Sequence, residues 1–253
     1  MFPYRVDNPR LGPAIATFVI MALNLLVWVV VEGMGANAMP NTVCTLGLIP
    51  SALVGHLLPG AVIPLGQGMS CILGSVPPWV TPLTSMFMHG GWFHLIGNMW
   101  FLWLFGPNVE DVMGHYRYTV FYLVAGLAAA TAQVLVDPTS TLPMVGASGA
   151  ISGVMGAYVI LFPRVRVHLL IFLGIFITRV TVPAYVMLGY WFLLQVLQGS
   201  VNALQAQGGG VAFAAHVGGF LTGALLVSAF KNPALLARRE ELLSSRNAAD
   251  ILQ

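Results

Sequence analysis

Long apolar stretches, separated by short charged or glycine- and proline-rich breaks, dominate the chain. Residues 11–31 carry no charge and are rich in Leu, Val, Ala and Ile, which is enough for one membrane-crossing helix. Residues 33–109 also contain no Asp, Glu, Lys or Arg, but positions 35–80 are broken by Gly, Pro and polar residues. That interval reads as a long, partly interfacial loop. The remaining apolar runs predict spans at about 92–108, 118–136, 146–163, 180–198 and 211–230, with the first at 11–32. The stretch 165–178 is apolar but short, and Arg164, Arg166 and Arg179 bracket it. It reads as an interfacial helix or an extension of the fifth span, not a seventh crossing. These boundaries give an all-α polytopic membrane protein: six transmembrane helices in one domain over 1–232, then a short charged tail over 233–253.

Charge fixes the expected orientation. Arg5 and Arg10 precede span one, Arg117 separates spans two and three, and Arg164, Arg166 and Arg179 separate four and five. Lys231, Arg238, Arg239 and Arg246 follow span six. All ten basic residues thus fall on one side, and the other side holds only Glu32 and Asp137 among charged residues. The positive-inside rule then makes both termini cytoplasmic.

Composition supports the same class. Charged residues make up 7% of the 253 and the apolar set 58%, whereas a soluble domain carries about 25% charged residues. A soluble enzyme, a secreted disulfide scaffold and a disordered chain all fit poorly. The Arg residues form no patch suited to nucleic acid. Cys44 and Cys71 both fall in the outer loop. They are either a disulfide formed in an oxidising compartment or two separate buried thiols.

Polar groups inside the spans carry the candidate chemistry. His94 and Asn98 are four apart and so share a helix face. Gly146-Ala147-Ser148-Gly149 opens span four, and His216 lies in span six before Gly219 and Gly223. Such groups face a bundle interior or a wet cavity, because lipid offers them no partner. A serine hydroxyl needs an adjacent base, and a histidine suits that task near neutral pH. Ser148 as nucleophile and His216 as base define acyl transfer. The Asn98 amide, the His94 imidazole and the Ser148 backbone N–H are candidate donors to an oxyanion. No Asp or Glu lies inside a span to orient His216, so a dyad is expected rather than a triad. The small residues have a second reading as plain helix-packing positions, as in Ser152-x-x-x-Gly156 and Gly219-x-x-x-Gly223. Transport is a third reading, although no repeat and no acidic residue in the spans supports it.

Three segments, "HGGWFHLIGNMWFLWLFG", "GASGAISGVMGAY" and "AHVGGFLTG", occur in an order and on helices that resemble the rhomboid intramembrane serine proteases, of the bacterial type with a six-span core. The likeness runs from about Trp79 to Gly223. It implies a rhomboid-like bundle with a membrane-associated first outer loop, in a bacterial cytoplasmic (inner) membrane, its active site open to the outer side. It implies an intramembrane serine endopeptidase with Ser148 as nucleophile, His216 as base, His94 and Asn98 as oxyanion donors, and His89 in support. Gly146, Gly149, Gly219 and Gly223 fall at supporting positions. Glu110 in "GPNVED" matches a structural acid of the family. Some members place an aromatic residue four positions after the nucleophile, stacked on the base; this chain has Ser152 there.

The substrates implied are single-span transmembrane proteins, cut near the outer end of the helix after a small residue. Membrane lipid is the other partner, no nucleic acid is involved, and the oligomeric state is left open. No cofactor or metal is implied, since side chains and backbone fill every role. The alternative is a catalytically silent binder of transmembrane helices on the same fold. Ser148 and Pro163 are about 16 residues apart, roughly 24 Å of helix. That is shorter than a hydrocarbon core of roughly 30 Å, so Ser148 is expected below the outer surface.

Overall fold

Helices begin where the apolar runs begin and stop where glycine, proline or charge interrupts them. The computed structural model describes residues 2–35, 39–66, 69–174, 176–204 and 212–251. In chain order it places β1 (Phe2–Val6), α1 (Ile15–Val30), α2 (Met39–Leu46), α3 (Pro50–Leu53), β2 (Val62–Gly66), β3 (Met69–Ile72) and α4 (Thr81–Thr84). There follow α5 (Trp92–Met113), α6 (His115–Val136), α7 (Ser148–Leu161), β4 (Arg166–Leu173), β5 (Phe176–Pro183), α8 (Ala184–Leu204), α9 (Phe213–Phe230) and α10 (Pro233–Ile251). The molecule is a largely helical bundle. The first residue expected of span six, Val211, lies outside the described residues, as do the last two of the tail. Among the described residues α6 and α9 are long and apolar enough to cross a membrane, and α1 and α7 are apolar but shorter. α1 exposes Phe18, Val19, Leu25, Leu26, Val29 and Val30 along its length. Such a continuous apolar surface suits lipid rather than water.

α5 runs five residues beyond its expected end, through Pro107. Proline removes one ladder hydrogen bond, but packing holds this end: Val109, Glu110, Val112 and Met113 are all buried. Glu110 then caps another helix. Its carboxylate accepts from the N–H groups of Ala16 and Thr17, both at 2.8 Å, and from the Thr17 hydroxyl at 2.6 Å. These are orphan donors at the start of α1, where negative charge is also favoured by the helix dipole. Glu110, at the position of the family's structural acid, therefore makes a specific joint between α5 and α1.

The segment 165–178 is neither of the two forms the sequence suggested. β4 and β5 form an antiparallel hairpin around Gly174, and β1 pairs with β4 to give a three-stranded sheet in the order β1-β4-β5. The physical reason is a period of two. Val167 and Leu169 are fully buried while Arg166 is exposed between the bundle and the turn. Val, Ile, Thr and Phe on the hairpin favour strand, and Pro183 ends it. The helical bundle thus carries a small sheet outside its apolar helices. The charged tail forms α10, and it docks: Arg239 is buried, donates to Asp111 Oδ2 at 3.3 Å and to Asn8 Oδ1, and lies over the Phe162 ring.

The first loop has its own small core of Cys44, Ile49, Ala52, Ile63, Cys71 and Leu73. β2 and β3 form a hairpin there, and a Cys44–Cys71 disulfide ties β3 to α2. The two cysteines are 27 residues apart, a loop whose closure is worth about 3.5 kcal/mol on chain-entropy grounds. Neither sulfur belongs to the polar cluster described below. The C44A/C71A double variant is expected to unfold at a lower temperature, while the peptide cleavage that the sequence leads one to expect stays within about threefold of the parent. Thermal unfolding and a cleavage assay on the same preparation check both halves, and a hundredfold loss of turnover in folded protein would refute the second.

α7 and α9 make the tightest helix pair, along a glycine seam. A Cβ on Gly156 would overlap the Phe220 carbonyl, one on Gly219 the Gly149 carbonyl, and one on Gly223 the Gly153 backbone. Gly149 similarly abuts Ala129 of α6. Close approach of α7 and α9 along these glycines is what brings Ser148 beside His216.

Candidate active site

Ser148 is the first residue of α7 and His216 lies in the first turn of α9. Ser148 Oγ and His216 Nε2 are 2.8 Å apart. Both line a cavity of about 1270 Å³, together with His94, Asn98, Gly146 and Gln195. The N–H of Ser148 is among the first four of α7, which have no partner within the helix.

Across the cavity, α5 presents His94 and Asn98 one turn apart. The Gly90 N–H donates to His94 Nδ1 at 3.3 Å. A nitrogen that accepts carries no proton, so the neutral ring bears its hydrogen on Nε2 as a donor. Asn98 Nδ2 is buried with no hydrogen-bond partner among the described residues, and it faces the backbone at Gly146. Gly146 sits at φ +124°, where a side chain is strained. A Cβ there would also lie 2.7 Å from the His94 ring. Glycine at this position keeps open the gap between His94 and the start of α7.

His89 is fully buried, and its ring packs edge-on against His94 with centroids 5.2 Å apart. Its backbone N–H donates to both carboxylate oxygens of Glu32, at 2.9 and 3.0 Å. Glu32, expected as one of two charges on the outer side, is itself wholly buried. A carboxylate at the end of an apolar run needs internal donors, and the turn at His89 supplies one. Asp137 is exposed and accepts from the Thr139 hydroxyl.

The structure therefore gathers Ser148, His216, His94 and Asn98 around one cavity, with His89 behind them, Gly146 and Gly149 beside them, and Gly219 and Gly223 on the seam. Sequence reasoning missed two residues of α8. Gln195 Oε1 lies 2.7 Å from His216 Nδ1, and the Trp191 ring lies beside His216, centroids 5.9 Å apart and tilted by 40°. Trp191 is thus the aromatic neighbour of the imidazole that position 152 does not supply; the Ser152 hydroxyl instead donates back to the Ser148 carbonyl at 2.6 Å. A Gln and a Trp four apart, on one face of a largely apolar helix, were the available signal.

A helical integral membrane protein with Ser, His and Asn side chains facing a cavity between its helices is the class this fold and site define. The chain belongs to the rhomboid family: residues 77–232 match the Rhomboid domain. It is 28% identical over 236 residues to rhomboid protease GluP of Bacillus subtilis (strain 168), covering 92% of this chain and 38% of that protein. It is 29% identical over 152 residues to rhomboid protein 1, mitochondrial, of Saccharomyces cerevisiae (58% of this chain, 40% of that one). Over 84 residues it is 37% identical to rhomboid-like protein 11, chloroplastic, of Arabidopsis thaliana (33% and 30%). The chain spans less than half the length of each of these relatives.

Proposed function

We infer that the protein is an intramembrane serine endopeptidase acting on single-span membrane proteins. The hydrogen bond between Ser148 Oγ and His216 Nε2, at the floor of a cavity facing His94 and Asn98, carries the reading. Family membership supports it, as does the protease named in relatives such as GluP. The spans are α1, α5, α6, α7, α8 and α9, with both termini on the cytoplasmic side by the distribution of Arg and Lys, in the cytoplasmic membrane of a bacterium. α7 has 14 residues, about 21 Å, and so begins beneath the outer surface of a core of roughly 30 Å. The cavity above Ser148 lets water reach it from outside.

Ser148 Oγ attacks the scissile carbonyl carbon while its proton passes to His216 Nε2. The carbonyl oxygen becomes an oxyanion that accepts from Asn98 Nδ2, His94 Nε2 and the Ser148 N–H. The C–N bond then breaks, the imidazolium protonates the departing amine, and an ester remains on Ser148. Water, deprotonated by His216, attacks that ester; the acid product leaves and Ser148 regains its proton. His89 braces the His94 ring. The substrate must be locally unwound, since a helical carbonyl is engaged in its own hydrogen bond.

Incubation of the purified chain in detergent with a single-span substrate bearing small residues near its outer end tests the reading. Cleavage by the parent and none by S148A is expected. Capture of the substrate without cleavage by the parent would favour the helix-binding alternative.

Asn98→Ala is expected to reduce turnover more than stability. Removal of one oxyanion donor costs about 2.7–4 kcal/mol in subtilisin, and His94 and the Ser148 N–H remain here, so a loss of about 10- to 100-fold in kcat is expected with little change in Tm. Unchanged turnover would remove Asn98 from the mechanism.

A further inference from the structure

A histidine can take a proton from serine only through a nitrogen that has none. For Ser148 that nitrogen is His216 Nε2, at 2.8 Å. The ring's own hydrogen must then sit on Nδ1, and a buried N–H needs an acceptor. Soluble serine hydrolases supply a carboxylate for this purpose. In this site the group on Nδ1 is an amide: Gln195 Oε1, at 2.7 Å, on a side chain only 9% exposed.

An amide has two ends with opposite consequences. Its NH2 end would donate to Nδ1, force the hydrogen onto Nε2, and turn a donor toward Ser148. Its oxygen end accepts from Nδ1–H and leaves Nε2 free. The oxygen end faces His216 here. One turn before Gln195, the Trp191 ring lies beside the same imidazole, tilted by 40° with centroids 5.9 Å apart, so α8 supplies both the acceptor on Nδ1 and an aromatic neighbour of the ring. The groups around His216 from the other helices act elsewhere: Gln133 of α6 accepts from the Ala215 N–H at 3.3 Å, and His94 of α5 lines the opposite wall.

We propose that Gln195 is the positioning residue for His216, holding it in the Nδ1–H tautomer as a neutral third member after Ser148 and His216. The proposal rests on the serine-protease reading for its kinetic consequence and on geometry alone for its tautomeric one. Gln195 touches no reacting atom and acts only through the ring. It contributes no negative charge, so it orients the base and stabilises the imidazolium that forms less than a carboxylate would.

The test uses the full chain labelled with 15N-histidine, the His216 resonances being assigned by their loss in His216→Asn. In the parent, His216 is expected to carry its proton on Nδ1 with Nε2 unprotonated; the opposite tautomer overturns the proposal without any variant. Q195M keeps the length of the side chain and removes the acceptor. It is expected to lower kcat about 10- to 100-fold, leave KM within about twofold, and release His216 into a mixture of tautomers. Q195E, which restores an oxygen acceptor, is expected to recover most of that loss. Parent-like kcat in Q195M, an unchanged tautomer in Q195M, or a Q195E as impaired as Q195M each overturns the proposal. A parent that cleaves nothing, but whose His216 loses its Nδ1–H form in Q195M, would sink the protease reading and leave the Gln195–His216 link standing.

Discussion

Ser148→Ala is expected to abolish cleavage, His216→Ala to do the same, and the double variant to be no worse than either. The two side chains meet in one hydrogen bond and in the proposed mechanism serve one proton transfer, so removing either ends the step that needs both. In subtilisin, loss of the serine or the histidine alone costs about 10⁶-fold in kcat, nearly as much as loss of the whole triad. Folding should survive. Ser148→Ala deletes one half-buried oxygen, and His216→Ala leaves the glycine seam of α9 intact. Unfolding curves that match the parent, beside zero turnover, would separate chemistry from stability. Additive losses in the double variant would mean that the two groups serve different steps.

Gly223→Val is expected to cost both stability and activity. Gly223 stands where α9 crosses α7, and any Cβ there overlaps the Gly153 backbone. A side chain in the way can change rotamer; a helix backbone can only move as a whole. Overpacking costs about 1–3 kcal/mol where side chains give way, so a clash with backbone should reach the upper end of that range or beyond. The move that relieves it separates α7 from α9, and these helices carry Ser148 and His216. A shift of about 1 Å is enough to cost on the order of a hundredfold in rate. Gly189→Ala is the control, because its Cβ would meet nothing within 4 Å; Tm and turnover there should stay close to the parent. A Gly223→Val protein with parent-like Tm and turnover would show that the seam is looser than described.

The apolar helices were legible because each expected span is a long uncharged run closed by charge or by Gly and Pro. Their ends shifted by a few residues where tertiary packing extended a helix, as at Val109–Met113 of α5. The cluster of Ser148, His216, His94 and Asn98 was legible because polar residues at helical spacing stand out in apolar spans. The hairpin over 166–183 was not, because a short apolar stretch bracketed by arginines fits an interfacial helix as well as a strand, and only the alternation at Val167 and Leu169 marks the strand. Gln195 was missed for a different reason. Its partner is 21 positions away on another helix, and the third position of the site was sought among acids. Glu32 carried no sign of burial either, since its bonds go to a backbone N–H at His89, which has no sequence signature.

Covalent labelling tests the central claim most directly. The folded chain in detergent is exposed to a serine-directed phosphonate, digested, and its peptides are mapped by mass spectrometry. The account predicts one adduct, on Ser148 Oγ, formed rapidly in the parent, slowly in His216→Ala and not at all in Ser148→Ala. An adduct on a different serine, or full inhibition of cleavage while Ser148 stays unmodified, would contradict it.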